Sequence, residues 1–224
     1  MALLRTAIKL PRLEGTASLR RFRDNTALLV IDMQMGFDDP AWGPRNNPRA
    51  EANVAALIAA WRTAGHVVIH VHHDSQTPSG RLRRGRPGNA AKPEAEPLDH
   101  EAVYRKAVNS AFIGTRLEAD LRAMDVRALA IVGLTTNHCV STTARMASNL
   151  GFDTFVVADA TATFDRAALD GRTRPAEEVH LAALSDLQDE FAEIVDTAWL
   201  IAARAAPRDA ADRALTPEEQ AGDA

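Results

Sequence analysis

Three residues of different chemistry each follow a stretch with the character of a buried strand. Asp32 ends the apolar run that begins at Thr26, Lys106 ends a weaker strand, and Cys139 follows the apolar run 128–132. A thiol, a carboxylate and an ammonium group together suit nucleophilic attack on a carbonyl carbon. In that chemistry the carboxylate takes the thiol proton, the ammonium favours the anionic forms, and the thiolate attacks.

Cys139 is the only cysteine in 224 residues, and it lies where a predicted strand passes into a predicted helix. Unpaired N–H groups and the positive end of the helix dipole favour a thiolate at such a place. The placement therefore predicts a nucleophile. The alternative is a small buried hydrophobic side chain, which is the commoner role of a lone cysteine. The corresponding alternatives are a turn or cap residue for Asp32 and a solvated side chain for Lys106.

Apolar runs alternate with amphipathic stretches along the chain. The predicted strands are 26–31, 66–72, 101–105, 128–132, 153–158 and 191–195, and the predicted helices are 48–64, 114–125, 140–150, 175–187 and 197–203, the last one capped by Thr197. This alternation is typical of an α/β, three-layer αβα architecture with a doubly wound, mainly parallel six-stranded sheet. We expect the strand order 3-2-1-4-5-6. The ligand crevice then lies at the carboxyl ends of the strands, where Asp32, Lys106 and Cys139 converge.

The composition is that of an ordinary folded protein, with 46% hydrophobic residues and a net charge of −4. It predicts one domain over residues 25–205, an N-terminal arm over 1–24 and a flexible C-terminal tail over 206–224. We expect neither a nucleic-acid partner, since no global basic field exists, nor a membrane span, since no apolar run approaches about 18 residues. A single cysteine and the lack of a secretory signal favour the cytoplasm. An Arg-rich organellar presequence is the alternative for the first segment.

Two further stretches carry residues with possible binding roles. His70 and His72 share one face of the second predicted strand, and two such histidines can bind zinc. No third ligand is evident, so hydrogen-bonded core or rim histidines are favoured, and we predict no metal and no other cofactor. The segment 74–98 lacks periodicity and predicts a long loop. The alternatives for its arginines, Arg81 to Arg86, are contact with an anionic substrate, contact with an acidic neighbouring subunit, or exposure to solvent alone.

Three ordered segments carry a family resemblance. They read Ala27-Leu-Leu-Val-Ile-Asp32-Met-Gln34-Met-Gly-Phe37, Lys106-Ala-Val-Asn-Ser110-Ala-Phe112 and Gly133-Leu-Thr-Thr-Asn-His-Cys139-Val. They resemble the isochorismatase-like cysteine hydrolases, which include nicotinamidases and amidohydrolases of carbamoyl and ureido compounds. The resemblance implies a catalytic triad of Asp32, Lys106 and Cys139. It also implies a cis peptide between Leu134 and Thr135, an oxyanion hole of the Thr135 and Cys139 amides, and a homo-oligomer, a dimer or a tetramer.

The predicted surroundings of a substrate follow from the same segments. The residues we expect there are Gln34, Phe37, Trp42, Phe112 and His138. Ordinary packing is the alternative for the aromatic residues. Thr136 and Asn137 have a different expected role, as caps of the helix that Cys139 opens. Nicotinamidases of the family carry an Asp-x-His metal motif after the second strand, and this chain has a differently ordered, His-rich segment there, so nicotinamide is not the expected substrate.

The function predicted from the sequence is that of an amidohydrolase acting on a small molecule. It would hydrolyse a C–N bond of an amide, ureido or carbamoyl compound through a Cys139 thioester, with Asp32 as general base and acid and Lys106 as electrostatic partner. Two alternatives stay open. One is ether hydrolysis of the isochorismatase kind. The resemblance implies that true isochorismatases do not depend on the cysteine, so its presence in a complete triad favours C–N hydrolysis. The other is a non-catalytic binding protein on the same fold.

Overall fold

The computed structural model describes residues 25–205. The predicted N-terminal arm (1–24) and C-terminal tail (206–224) lie outside the described residues. None of the helices within 25–205 is both long and apolar enough to cross a membrane.

Six parallel strands form the central sheet, as predicted. They are β1 (Thr26–Ile31), β2 (Val68–His73), β3 (Ala102–Lys106), β4 (Ala128–Leu134), β5 (Asp153–Ala162) and β6 (Glu193–Val195). Their order is β3-β2-β1-β4-β5-β6, and every neighbouring pair is parallel, so the predicted order 3-2-1-4-5-6 is confirmed. The winding reverses between β1 and β4, which places the ligand crevice of such a sheet at their carboxyl ends.

Helices cover both faces of the sheet. They are α1 (Ala50–Thr63), α2 (Leu117–Ala123), α3 (Ser141–Asn149), α4 (Ala176–Ser185) and α5 (Thr197–Ala205). Residues from α2, α3 and α4 share one buried cluster with alternate residues of β1, and residues from α1 and α5 share the other. This three-layer arrangement accounts for strands that are apolar throughout, since both faces of β1 are buried.

Strands β1 and β4 approach each other closely where the site begins. Gly133 has φ +112°, and a Cβ on this residue would lie 2.0 Å from the carbonyl oxygen of Ile31. Only glycine fits at this contact, because any side chain would push the two central strands apart. Gly133 therefore allows the carboxyl ends of β1 and β4 to carry Asp32 and Cys139 side by side.

Several predicted boundaries were wrong. Strand β2 ends at His73 rather than 72, and β5 continues to Ala162, beyond the predicted end at residue 158. Part of the predicted loop 159–174 is thus strand, and another part is a two-stranded antiparallel hairpin of Arg166–Ala167 and Thr173–Arg174. The cap of α5 is Asp196 rather than Thr197, since the Asp196 carboxylate accepts the N–H of Trp199 at 2.7 Å.

The segment 74–98 is irregular, as predicted, with two short 3₁₀ turns at Pro87–Asn89 and Pro93–Ala95. The side chain of Asn89 fastens it to the sheet edge by donating to the carbonyls of His73 (3.1 Å) and Leu82 (2.6 Å). Arg105 adds a second attachment by donating to the Asp74 carboxylate at 2.6 and 2.9 Å and to Asn89. The loop is therefore held by buried and partly buried hydrogen bonds at the edge of the sheet.

Candidate active site

Asp32 and Lys106 form an ion pair at the carboxyl edge of the sheet. Asp32 follows β1 directly, and Lys106 ends β3, two strands away. The Lys106 side chain reaches across the end of β2, and its Nζ donates to Asp32 Oδ2 at 2.7 Å. Neither side chain is exposed to solvent. The alternatives of a solvated lysine and a simple turn aspartate are thereby excluded.

His73, the last residue of β2, also contacts the ion pair. Its Nδ1 lies 3.3 Å from Lys106 Nζ, so the ammonium contacts both a carboxylate and an imidazole. Burial and Lys106 lower the pKa of His73, which favours the neutral ring. We had not predicted a role for His73, because the predicted strand ended one residue earlier. The sequence feature that could have indicated a role was its position at the carboxyl end of a strand, like that of Asp32.

Cys139 lies next to this pair. Its Sγ, a carboxylate oxygen of Asp32 and a ring nitrogen of His73 all lie within 4.8 Å of one another. Asp32 Oδ1 is buried and has no hydrogen-bond partner within residues 25–205. Oδ2 is held by Lys106, so Oδ1 is the oxygen left to take a proton from the thiol. The structure thus brings together the three residues of the predicted triad.

The protonation state of Cys139 differs from the expectation. Burial and the neighbouring Asp32 charge raise the pKa of the thiol to about 12, and Lys106 offsets this only in part. This direction opposes the predicted preference for a thiolate, because burial and the Asp32 charge both favour the neutral thiol. Burial also raises the pKa of Asp32, against the opposing effect of Lys106. The pair is consistent with a thiol that is deprotonated only during attack.

The turn that carries Cys139 is a π-helical segment, Thr136–Val140, which leads directly into α3. The helical region thus begins four residues earlier than predicted. Thr136 does not cap it: its Oγ1 lies 2.8 Å from Nδ1 of the buried His180. Asn137 Oδ1 accepts from the hydroxyl of Thr163 at 2.5 Å. Both side chains therefore hold the turn against α4 and β5, and the Leu134–Thr135 peptide bond before it is cis.

Two of the residues expected around a substrate have mainly structural contacts. Gln34 is fully buried, its Nε2 donates to the carbonyls of His73 (3.2 Å) and Asn89 (2.9 Å), and its Oε1 accepts from the His73 N–H at 2.8 Å. Its amide thus positions His73 and the loop rather than facing a ligand. Phe112 is 8% exposed, shares the buried cluster that contains Cys139 and stacks on Phe152 with ring centroids 6.0 Å apart.

The remaining expected residues are Phe37, Trp42 and His138. Phe37 and Trp42 pack with each other and with Phe164, with ring centroids 5.3 to 6.2 Å apart, and Phe164 had not been predicted. His138 precedes Cys139 in the turn, is half-buried, and lines a cavity of about 490 Å³. Asn109, also not predicted, places its Oδ1 3.9 Å from Cys139 Sγ. Asn109 follows Lys106 by three residues, and this proximity in the sequence could have identified it as a residue of the site.

The histidines predicted as alternatives for a zinc site have other partners. His70 Nε2 lies 2.9 Å from Glu101, which also binds Arg62, and His72 Nδ1 lies 3.5 Å from Arg105. Asp32, His73 and Cys139 are the group in the described chain whose ligand atoms could surround a metal ion. A cation there would compete with the Lys106 ammonium for both Asp32 and His73, so the donor set fits a metal poorly.

Comparison with known proteins identifies the family. The isochorismatase domain matches residues 26–198. The chain belongs to the isochorismatase family of hydrolases. The isochorismatase family protein YrdC of Bacillus subtilis is 43% identical over 178 residues, 80% of this chain and 95% of that protein. Nicotinamidase 3 of Arabidopsis thaliana is 32% identical, covering 76% and 84% of the two chains.

Solved structures show the same fold. The crystal structure of an isochorismatase-family protein from Chromobacterium violaceum has a TM-score of 0.80 and 46% identity, covering 82% of this chain and 95% of that chain. The resemblance inferred from the three sequence segments is thus confirmed, together with the fold class.

Proposed function

We propose that this isochorismatase-family hydrolase cleaves a C–N bond in a small amide, ureido or carbamoyl compound through a thioester on Cys139. The observation that carries the proposal is the solvent-excluded Asp32–Lys106 pair beside the Cys139 thiol. A carboxylate that is held at one oxygen, free at the other and adjacent to a thiol suits proton transfer coupled to nucleophilic attack. The similarity to a nicotinamidase, a hydrolase of an amide, supports the same class of bond.

The proposed reaction begins with the Cys139 thiol and the free Oδ1 of Asp32. Asp32 accepts the thiol proton as sulfur forms a bond to the carbonyl carbon, and the carbonyl π electrons move to oxygen. The backbone amides of Thr135 and Cys139 are the proposed donors to this oxyanion, and one such donor contributes roughly 3–4 kcal/mol. Asp32 then gives its proton to the leaving nitrogen, the C–N bond breaks, and ammonia or an amine departs.

Water completes the cycle. Asp32, again a carboxylate, removes a proton from water as its oxygen attacks the thioester carbon. Collapse of the second tetrahedral intermediate breaks the C–S bond, and Asp32 returns the proton to sulfur. Lys106 keeps Oδ2 fixed at 2.7 Å throughout and stabilises negative charge on either Asp32 or Cys139. It therefore acts through its charge and transfers no proton.

Ammonia release across small amides, ureido acids and carbamoyl compounds tests the proposal. Cys139→Ala should lower turnover of every substrate found by at least about 10³-fold, because no nucleophile remains. The circular dichroism spectrum should be unchanged, since the replaced side chain is small. Turnover of these C–N substrates that survives Cys139→Ala would contradict the thioester.

A further inference from the structure

A second group of charged residues lies beside the turn that carries the candidate nucleophile. An open cavity of about 490 Å³ is lined by His138 and Asn137 and by residues of the hairpin of Arg166–Ala167 and Thr173–Arg174. Both terminal arginines of the hairpin, Arg166 and Arg174, line it. Its volume lies within the usual range of small-molecule sites, about 300–1,000 Å³.

Arg166 and Arg174 are directly opposite each other in the antiparallel hairpin. Side chains at opposed positions lie on the same face, and like charges there destabilise the pairing. Neither guanidinium has an ion pair or a side-chain hydrogen bond with any residue of the described range 25–205. The carboxylate that lines the same cavity, Asp170, is engaged by Arg172 at 2.8 Å. Two opposed arginines thus face the cavity without a compensating anion.

The cavity adjoins the catalytic turn. His138, which lines it, is bonded in sequence to Cys139, and Asn137 is fixed in place by Thr163. Burial and the Arg166 charge lower the pKa of His138, so its ring is neutral at pH 7 and can donate or accept a hydrogen bond. The positive charge in the cavity therefore comes from the arginine pair.

The arginines of the segment 74–98 fit this role less well. Arg81 pairs with Asp39 at 2.5 Å, and its guanidinium lies over the ring of Trp42. Arg83 and Arg86 donate to carbonyl oxygens of their own loop. Hydrogen-bonding groups of Arg81, Arg83 and Arg86 are thus partly in use, whereas those of the hairpin pair are not.

We propose that Arg166 and Arg174 form a carboxylate-binding subsite for the substrate, so the hydrolysed compound carries a carboxylate besides its scissile C–N bond. Two guanidinium groups on one face match the two oxygens of a carboxylate, and the bound anion removes the repulsion between them. Arg166 and Arg174 are thereby specificity residues. That the bound carboxylate belongs to a substrate rests on the proposed C–N hydrolysis. The subsite itself rests on the geometry of the hairpin.

Protection of Cys139 from alkylation tests the subsite without any turnover. Iodoacetamide labelling at a fixed pH of about 9 is followed by intact mass, with increasing succinate or its neutral analogue succinamide. Succinate should slow labelling of the wild type at least tenfold at saturation, and succinamide should not. Arg166→Gln and Arg174→Gln should each raise the half-protecting succinate concentration about tenfold or more.

Arg127→Gln is the matched control. It makes the same change in charge, but Arg127 precedes β4 at the opposite edge of the sheet and pairs there with Asp125. Succinate should protect Cys139 in this variant as it does in the wild type. Thermal melting should show that the hairpin variants are no less stable, because each removes a like-charge contact. Equal protection in wild type and both hairpin variants would overturn the subsite, as would succinate binding that leaves the labelling rate unchanged.

Kinetics then connect the subsite to the reaction. N-carbamoylglycine should be preferred to its methyl ester at least tenfold in kcat/KM, and each hairpin variant should reduce that ratio towards one. A wild type that hydrolyses neither compound nor any other C–N substrate would defeat the proposed function, while the protection experiment would still decide the anion subsite. A hairpin variant that changes only the oligomeric mass would assign the arginines to a subunit contact and overturn the subsite.

Discussion

The two carboxylate oxygens of Asp32 have different surroundings, and the difference sets the chemistry of the site. Oδ2 accepts the Lys106 ammonium, while Oδ1 is buried beside Cys139 without a hydrogen-bond partner in the described chain. The negative charge of Asp32 raises the pKa of the Cys139 thiol, and the positive charge of Lys106 lowers it. Asp32 therefore opposes free thiolate formation while offering the base that attack requires.

Asp32→Asn should separate these two effects. Asparagine removes the charge and keeps the shape, and it tolerates the positive φ of +51° at this position. The pKa of Cys139 should fall from about 12, since burial still raises it but the Asp32 charge no longer does, so alkylation by iodoacetamide should accelerate at pH 8 to 9. Hydrolysis should nevertheless fall by about 10²–10⁴-fold, because the general base is lost.

Lys106→Met provides the opposite control, because removing the ammonium should move the alkylation profile of Cys139 to higher pH. The two variants are compared by rates of intact-mass labelling over a pH series and by product release. An Asp32→Asn protein that labels no faster than the wild type would contradict the assigned electrostatics. One that retains full turnover would remove Asp32 from the reaction.

At the scale of the elements, the contact between β1 and β4 decides whether the site can form. Gly133→Ala would place a methyl group 2.0 Å from the Ile31 carbonyl oxygen and force the central strands apart. Gly151→Ala is the matched control, since Gly151 also has positive φ (+82°) but no atom lies within 4 Å of its added Cβ. Gly151→Ala should lower the unfolding free energy by about 1–2 kcal/mol, because only the positive φ is unfavourable for alanine there.

Gly133→Ala should cost at least about 2 kcal/mol more than the control, because overpacking adds to the conformational cost. Urea unfolding at pH 7.5 measures both values, and ammonia release reports the site. Equal losses of stability for the two variants would show that the strands can separate without penalty. The close approach of β1 and β4 would then not be what positions Asp32 next to Cys139.

The elements also show which features local sequence could predict. Apolar runs of strand length and right-handed crossovers depend on nearby residues and general rules, so strand order and the convergence of Asp32, Lys106 and Cys139 were predictable. The π-helical start of the turn and the partners of Gln34 depend on contacts with distant segments. The pKa of Cys139 depends on burial in the finished fold, and local sequence does not determine it.

At the scale of the whole molecule, buried histidines make stability depend on pH. Burial lowers the pKa of His180, which is fully buried, to about 4, and burial and Arg105 lower that of His72 to about 4. In the unfolded chain these groups titrate near 6.5. Between the two values the unfolded chain binds protons that the folded protein does not. Their contribution to stability is therefore complete above pH 6.5 and is lost as pH falls towards 4.

Other groups act in different pH ranges. The pKa of Glu101 is lowered to about 2 by its partners Arg62 and His70, against the effect of burial, so its contribution is lost only below about pH 4.5. The raised pKa of Cys139 acts at the alkaline end, where the unfolded thiol ionises first and stability falls as pH rises from 9 towards 12. The histidines act between about pH 6.5 and 4, where the raised pKa of Asp32 opposes them.

The predicted homo-oligomer bears on how this dependence is measured. Dissociation coupled to unfolding would make the transition depend on protein concentration. The unfolding free energy is therefore measured at several concentrations, and light scattering after size-exclusion chromatography at pH 7.5 gives the subunit number. A monomeric mass at all concentrations would contradict the predicted dimer or tetramer.

His180→Gln should flatten the acid side of the stability curve. The wild type should lose about 3 kcal/mol between pH 7.5 and 4 through His180 alone, because burial disfavours the charged ring in the folded protein. The variant is expected to be less stable than the wild type at pH 7.5 and to lose correspondingly less on acidification. His100→Gln, at an exposed position, is the control and should follow the wild-type curve. A wild-type slope that His180→Gln leaves unchanged would show that His180 does not carry the acid sensitivity, whatever its effect on stability at neutral pH.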